Sequence, residues 1–183
     1  AFSGMYSGDL QPIPGSDVAV AAAGSTWNTK LIRTDDGGAT WNIVDNGEAN
    51  HLFVRFHPGD PDVVYAGAKR SDNAGVSFQT LPELTAVDGE IMGMALSNPD
   101  TIYALNGSRN QILRSDDRGE TWYTYAQTGW TMRVLDSIPT FRVDPSDEDR
   151  IYTIGANDDV VSFDGQTWTS LGGVLALADV GGQ

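Results

Sequence analysis

The chain has 183 residues and a formal net charge of −14, from 25 acidic against 11 basic side chains. So acidic a chain repels phosphate backbones and anionic membrane surfaces, which excludes nucleic acid as a partner class. No apolar run approaches the ~20 residues of a membrane span, so no membrane insertion is expected, and the absence of cysteine excludes disulfides and thiolate chemistry. Of the acids, 20 are Asp and 5 are Glu; Asp favours turns where Glu favours helices, and together with 21 Gly this predicts a turn-rich, all-β chain.

Apolar and polar residues alternate in short runs, as in half-buried strands, and no stretch sustains a helical period. The first repeat places strand A within residues 1–8, B at Asp17–Ala23, C at Lys30–Asp35 and D at Thr40–Val44. The second places A at His51–His57 and B at Asp62–Ala68, but Tyr65 and Ser71 are only 6 residues apart, against 12 from Tyr103 to Ser115. A full C strand does not fit there: either the repeat is shortened or its turn motif is an accident of composition. The third gives Ile91–Ser97, Thr101–Asn106, Gln111–Asp116 and Thr121–Tyr125; the fourth gives Ile138–Asp144, Arg150–Gly155, Val160–Phe163 and Thr167–Leu171. Gly172–Val180 reads as one more strand. The domain expectation is a single repeat domain, with repeats at 1–46, 47–82, 83–126 and 127–171 and an extra strand at 172–180.

One octet punctuates these strands. Residues 34–41 read Thr-Asp-Asp-Gly-Gly-Ala-Thr-Trp and residues 115–122 read Ser-Asp-Asp-Arg-Gly-Glu-Thr-Trp. Weaker copies fall at 71–78, with Asn73 for the Asp, and at 162–168, one residue short. Ser/Thr and Asp side chains bond nearby backbone N–H groups and hold tight turns; Gly38 and Gly119 supply positive φ; the Trp opens the next strand and covers the turn. The closing aromatics Trp41, Phe78, Trp122 and Trp168 are 37, 44 and 46 residues apart, a propeller-blade period. A calcium loop would end in a Glu at its twelfth position, where these octets place Asn46 and Gln127. Thr34, Asp36, Gly38, Trp41, Ser115, Asp117, Gly119, Trp122, Ser162, Asp164 and Trp168 are therefore assigned to structure. His51 and His57 lack metal-pair spacing. No metal and no cofactor are expected.

The octets resemble the Asp-box (BNR) repeat of sialidase, xyloglucanase and sortilin-type propellers. The resemblance implies a β-propeller of four-stranded antiparallel blades, about four of them here, forming part of a larger propeller completed by another chain or by further sequence; a small self-closed propeller is the alternative. It also implies that binding and catalysis sit on the face of the B–C and D–A loops, opposite the octet turns. On that face fall Trp27 and Trp130, aromatic platforms for a sugar ring or a protein side chain, together with Arg109 and Arg133. The carboxylates there are Asp45, Glu48, Glu83, Asp88, Asp136 and Asp158. A glycosidase needs two flanking the bond, and no local motif singles out a pair. The Arg-Ile-Pro signature of sialidases is absent.

The functional expectation is a non-catalytic binding or structural module of a secreted, cell-surface or virion protein, with a glycan or protein partner. A glycoside hydrolase, or an arc of one, and a protein-recognition receptor domain are the alternatives.

Overall fold

The computed structural model describes residues 6–25, 28–46, 53–132, 134–135, 138–139 and 141–173. Their architecture is all-β, with four four-stranded antiparallel sheets in which neighbouring strands follow chain order. The first sheet comprises β1 (Tyr6–Pro12), β2 (Ala19–Ser25), β3 (Asn28–Thr34) and β4 (Asn42–Asp45). The second comprises β5 (Val54–His57), β6 (Asp60–Ala66), β7 (Lys69–Ser71) and β8 (Gln79–Thr80). A short helix, α1 (Pro82–Thr85), precedes the third sheet: β9 (Glu90–Met94), β10 (Ile102–Leu105), β11 (Gln111–Ser115) and β12 (Tyr123–Gln127). A small hairpin, β13 (Val134–Leu135) with β14 (Ile138–Pro139), leads to the fourth: β15 (Arg142–Asp144), β16 (Asp147–Ile154), β17 (Asp159–Phe163) and β18 (Trp168–Gly173). The chain divides into two compact units, Ala1–Ile91 and Met92–Gln183. No helix among the described residues is long and apolar enough to cross a membrane.

In the first unit the core lies between the two sheets. Val20, Ala22 and Leu31 pack on Val54, Val64 and Ala66, flanked by Val44, Phe56 and Phe78. Each buried Val or Leu side chain here contributes about 1.5–3 kcal/mol on burial. Polar links add to this joint: Arg33 Nε donates to the Ala74 carbonyl at 3.0 Å, and Asp9 accepts from the Val54 amide at 3.3 Å and from Arg55. In the second unit the joint is aromatic. Tyr103 packs on Tyr125 and Phe141, and Tyr125 meets Phe163 edge-on with centroids 5.4 Å apart.

The octet turns share one construction. Thr34 Oγ1 donates to Asp36 and accepts the Gly38 amide, while Asp36 accepts both the amide and the hydroxyl of Thr40, all at 2.7–3.0 Å. Ser115, Asp117, Gly119 and Thr121 repeat these bonds at 2.6–2.9 Å. So do Ser71, Asn73, Gly75 and Ser77, except that there the Asn73 side-chain amide donates to the Ser77 hydroxyl. The weak second copy is therefore a genuine turn, and it is the repeat that is shortened: Gly67 and Ala68 join β6 directly to β7 in a two-residue hairpin, with Gly67 at φ +58. In all three turns two successive residues have positive φ, and Ala74 and Arg118 take this strained conformation without being glycine.

Three expectations change. Strand A of the first repeat extends to Pro12, stopped by the Pro14–Gly15 turn. Strand A of the fourth starts only at Arg142, because Pro139 has no N–H for a ladder and falls in the β13–β14 hairpin instead. Ser162 is not the hydroxyl of the fourth turn. Thr34, Ser71 and Ser115 stand opposite Ala19, Val64 and Ile102, and the residue in that register, opposite Ile151, is Phe163. Asp164 holds the shorter turn through the Thr167 and Gln166 amides, at 2.8 and 3.1 Å. The strand expected at 172–180 lies outside the described residues beyond Gly173.

Candidate functional site

The hairpin order sorts the connections onto two ends of each sheet. At one end the octet turns meet the A–B loops, as the bonds from Gly37 N to Asp17 O, Ala74 N to Asp62 O and Arg118 N to Asp100 O record. At the other end the B–C turns meet the D–A loops: Leu81 N donates to Ala68 O, and Met132 N to Arg109 O.

In the first unit this loop end carries Asp45, Glu83 and Asp88. Asp45 is engaged: both its oxygens accept from Lys69 Nζ, at 2.7 and 2.8 Å, with both side chains largely buried. Glu83 lies in the first turn of α1, where a carboxylate complements the helix N-terminus. Asp88 is exposed at φ +51, just after the helix.

In the second unit Arg109 is exposed at φ +56 in the β10–β11 turn. Bonds from Met132 N to Arg109 O at 2.7 Å and Thr128 N to Asn110 O at 2.9 Å zip this turn to the loop that carries Trp130. Two sequence candidates are thus brought into one loop cluster. Trp130 is half-buried, its ring edge-on to Trp168 at 5.3 Å, and its indole N–H is buried without an acceptor. Packing thus takes up part of the expected platform. Asp158 is half-buried at φ +58 in the β16–β17 turn. Trp27, Glu48, Arg133 and Asp136 lie outside the described residues. No cluster of three or more metal-ligating side chains occurs among the described residues.

The octet end of the second unit holds a group that sequence reasoning missed. Arg114 is buried, and its Nε donates to Asp116 at 2.6 Å. Its NH1 donates to the Tyr103 hydroxyl at 3.1 Å and to Asp149, and the guanidinium lies over the rings of Tyr103 and Tyr125. Burial works against its charge, but Asp149 and Asp116 outweigh it and raise its pKa. A shallow groove of about 440 Å³ opens beside it, lined by Tyr123, Tyr125, Asp149, Asp164 and Gln166 among others. The signal was present: an arginine precedes three of the four octets, as Arg33, Arg70 and Arg114.

Among the described residues, the carboxylates whose acidity the fold shifts move down. The Thr40 amide, then the Thr40 and Thr34 hydroxyls, hold Asp36 at about 2. The Ser146 amide and hydroxyl lower Asp144, and the Thr167 and Gln166 amides lower Asp164. For Asp116 and Asp117 burial pushes upward, but the Arg114 guanidinium and the Thr121 hydroxyl, respectively, lead the groups that outweigh it. These groups are turn ligands held ionised.

No family model matches the chain, and no curated protein matches it. Solved structures do. An ancestral GH74 enzyme superposes with a TM-score of 0.68 at 20% identity, covering 92% of this chain and 24% of its own. The GH74 xyloglucanase from Xanthomonas campestris gives 0.67 at 16%, covering 90% and 30%. YCF48 bound to D1 peptide gives 0.57 at 18%, covering 88% and 52%. The chain therefore spans less than a third of the two GH74 structures and about half of the third. At these identities the likeness establishes the fold: the four sheets are blades of a β-propeller.

Proposed function

We propose that the chain is a non-catalytic recognition module, a segment of Asp-box propeller from a secreted, cell-surface or virion protein, which binds a glycan or a protein through its B–C and D–A loops. The observation that carries this reading is the state of the carboxylates. A glycosidase needs a general acid with a raised pKa facing a second carboxylate. Among the described residues the shifted carboxylates move down, and Asp45 is spent on Lys69; Glu48 and Asp136 lie outside the described residues. The binding element would be the cluster of Arg109 and Trp130.

A second reading, a segment of a glycoside hydrolase, draws on the likeness to the two GH74 structures, one a xyloglucanase. A third, peptide recognition, draws on the likeness to YCF48 with its bound peptide. Calorimetric titration with xyloglucan oligosaccharides and sialyllactose tests the glycan arm. Trp130→Ala is expected to weaken binding by about 1–2 kcal/mol, the loss of one aromatic contact. Binding that survives both Trp130→Ala and Arg109→Ala unchanged would remove the loop cluster from the reading.

A further inference from the structure

At the octet end, the joint between blades three and four differs from the joint between blades one and two. In the first unit the turn of blade two fills the space beside blade one. Arg33 Nε donates to the Ala74 carbonyl at 3.0 Å, and a Cβ on Gly75 would lie 2.5 Å from Val20 Cγ2. In the second unit the turn of blade four is one residue shorter. Arg114, which stands in the position of Arg33, reaches Asp149 instead. Gly165 closes on blade three, where a Cβ would lie 3.1 Å from the Tyr125 hydroxyl. The shallow groove of about 440 Å³ opens beside this contact.

Its walls combine spent donors with open acceptors. Arg114 uses Nε on Asp116 and Nη1 on the Tyr103 hydroxyl and Asp149, and its Nη2 lies 3.8 Å from Glu148. The Tyr123 hydroxyl donates to Asp116 at 2.9 Å and the Tyr125 hydroxyl to the Asp149 carbonyl at 2.6 Å. The charged and phenolic donors of the wall are thus engaged. The acceptors are not. Asp149 Oδ1 takes Arg114, but its Oδ2 has no partner among the described residues, and the side chain is 59% exposed. Asp164 spends Oδ1 on the turn amides, while Oδ2 receives a long contact from the Thr167 hydroxyl at 3.3 Å. Between these groups the Tyr123 side chain is 45% exposed.

The balance of donors and acceptors selects the occupant. Asp116, Asp149 and Asp164 stand against the single guanidinium of Arg114, so anions are repelled. A neutral sugar brings acceptors as well as donors, and its acceptors would meet carboxylate oxygens. A guanidinium carries N–H donors and no acceptor. It pairs with carboxylates through charge-assisted bonds and stacks on a tyrosine ring.

We propose that this groove is a second binding site, at the end opposite the loop cluster, and that it takes an arginine side chain of a partner polypeptide between Asp149 and Asp164, stacked on Tyr123. The site is independent of what the loop cluster binds.

Nuclear magnetic resonance titration of the full chain with a blocked tripeptide carrying one central arginine tests it. The expected result is saturable binding with a Kd on the order of 1 mM, weakened by salt. The tripeptide with neutral citrulline in place of arginine is expected not to bind at the same concentrations. Asp164→Asn is expected to weaken arginine binding about tenfold; its turn survives, because the second turn works with the neutral amide of Asn73. Tyr123→Ala, which leaves the turn untouched, is expected to weaken binding severalfold. Asp35→Asn removes the same charge from an exposed octet carboxylate of the first unit and is expected to leave binding unchanged. Circular dichroism verifies that each variant is folded. Equal binding of the citrulline peptide overturns the proposal, as does a wild-type chain that fails to bind arginine up to tens of millimolar. So do folded Asp164→Asn and Tyr123→Ala variants that bind like wild type, or an equal loss in Asp35→Asn, which would mean attraction to net charge alone.

Discussion

Arg114 and Asp116 stand two residues apart at the end of one strand, and the guanidinium Nε donates to the carboxylate at 2.6 Å. The same pairing recurs as Arg33 with Asp35 at 3.2 Å and Arg70 with Asp72 at 2.7 Å. The motif is thus one residue longer than the octet, led by an arginine that stands opposite Val20, Tyr65 or Tyr103 in the ladder. Arg114 is the most buried of the three and also bridges to Asp149 of the next blade. Removing a buried partner costs about 3–5 kcal/mol. Because Asp116 and Asp149 are exposed enough to rehydrate, Arg114→Met is expected to cost about 3 kcal/mol in urea unfolding. Arg33→Met is expected to cost about 1 kcal/mol, because Asp35 is exposed.

The turn hydroxyls separate the true register from the apparent motif. Ser115 is fully buried, donates to Asp117 and accepts the Gly119 amide. Ser115→Ala strands that amide and should lower stability by about 1–2 kcal/mol. Ser162 fits the same letters but stands in the position of Arg114, so Ser162→Ala should change stability by less than about 0.5 kcal/mol. Equal losses in chemical denaturation would contradict the register.

Gly75 sits at φ +79, and a Cβ there would lie 2.5 Å from Val20 Cγ2 of the adjoining blade. Gly15 has a similar φ of +75 with open space around it. Both alanine variants pay the backbone term of about 1 kcal/mol, but only Gly75→Ala also forces the blade joint apart, for a total of about 2–4 kcal/mol. Similar thermal shifts for the two variants would mean that the joint is looser than described.

How much of this could be read from the sequence differed by layer. The turns were legible because their chemistry is local: Thr34, Asp36 and Gly38 meet within five residues, and the spacing of Trp41, Phe78, Trp122 and Trp168 set the blade period. The fourth turn misled because Ser162-Phe163-Asp164 imitates the motif, while its register is fixed by the ladder to β16, which letters alone do not reveal. Helix α1 was missed because four residues are too few to show a period. The Asp45–Lys69 pair spans 24 residues and two blades, so Asp45 looked like a free loop carboxylate. Glu83, Asp88 and Asp158 were placed on loops by topology alone, and no local pattern states which of them approaches another.

Acid should loosen the turns before anything else. The fold holds Asp36 at about 2 against an ordinary 3.8. Between those values the unfolded chain binds more protons than the folded one, so stability rises with pH there; it is complete above the ordinary value and lost as pH falls towards about 2. Asp116, Asp117, Asp144 and Asp164 shift in the same direction. The melting temperature should be flat above about pH 5 and fall steeply below about pH 4. The second turn already works with the neutral amide of Asn73. Asp36→Asn should therefore keep the fold and shallow the acid slope; an unchanged slope would mean that other groups govern acid unfolding.

The central claim is recognition without catalysis, and the most direct measurement is the release of new reducing ends. The purified chain is incubated with xyloglucan, other plant β-glucans and sialoglycans, and reducing ends are quantified over time against a buffer blank. The account predicts no release above the blank from any of them. Sustained release that is lost in an amide variant of one loop carboxylate (Asp45, Glu48, Glu83, Asp88, Asp136 or Asp158) would contradict it and establish a hydrolase.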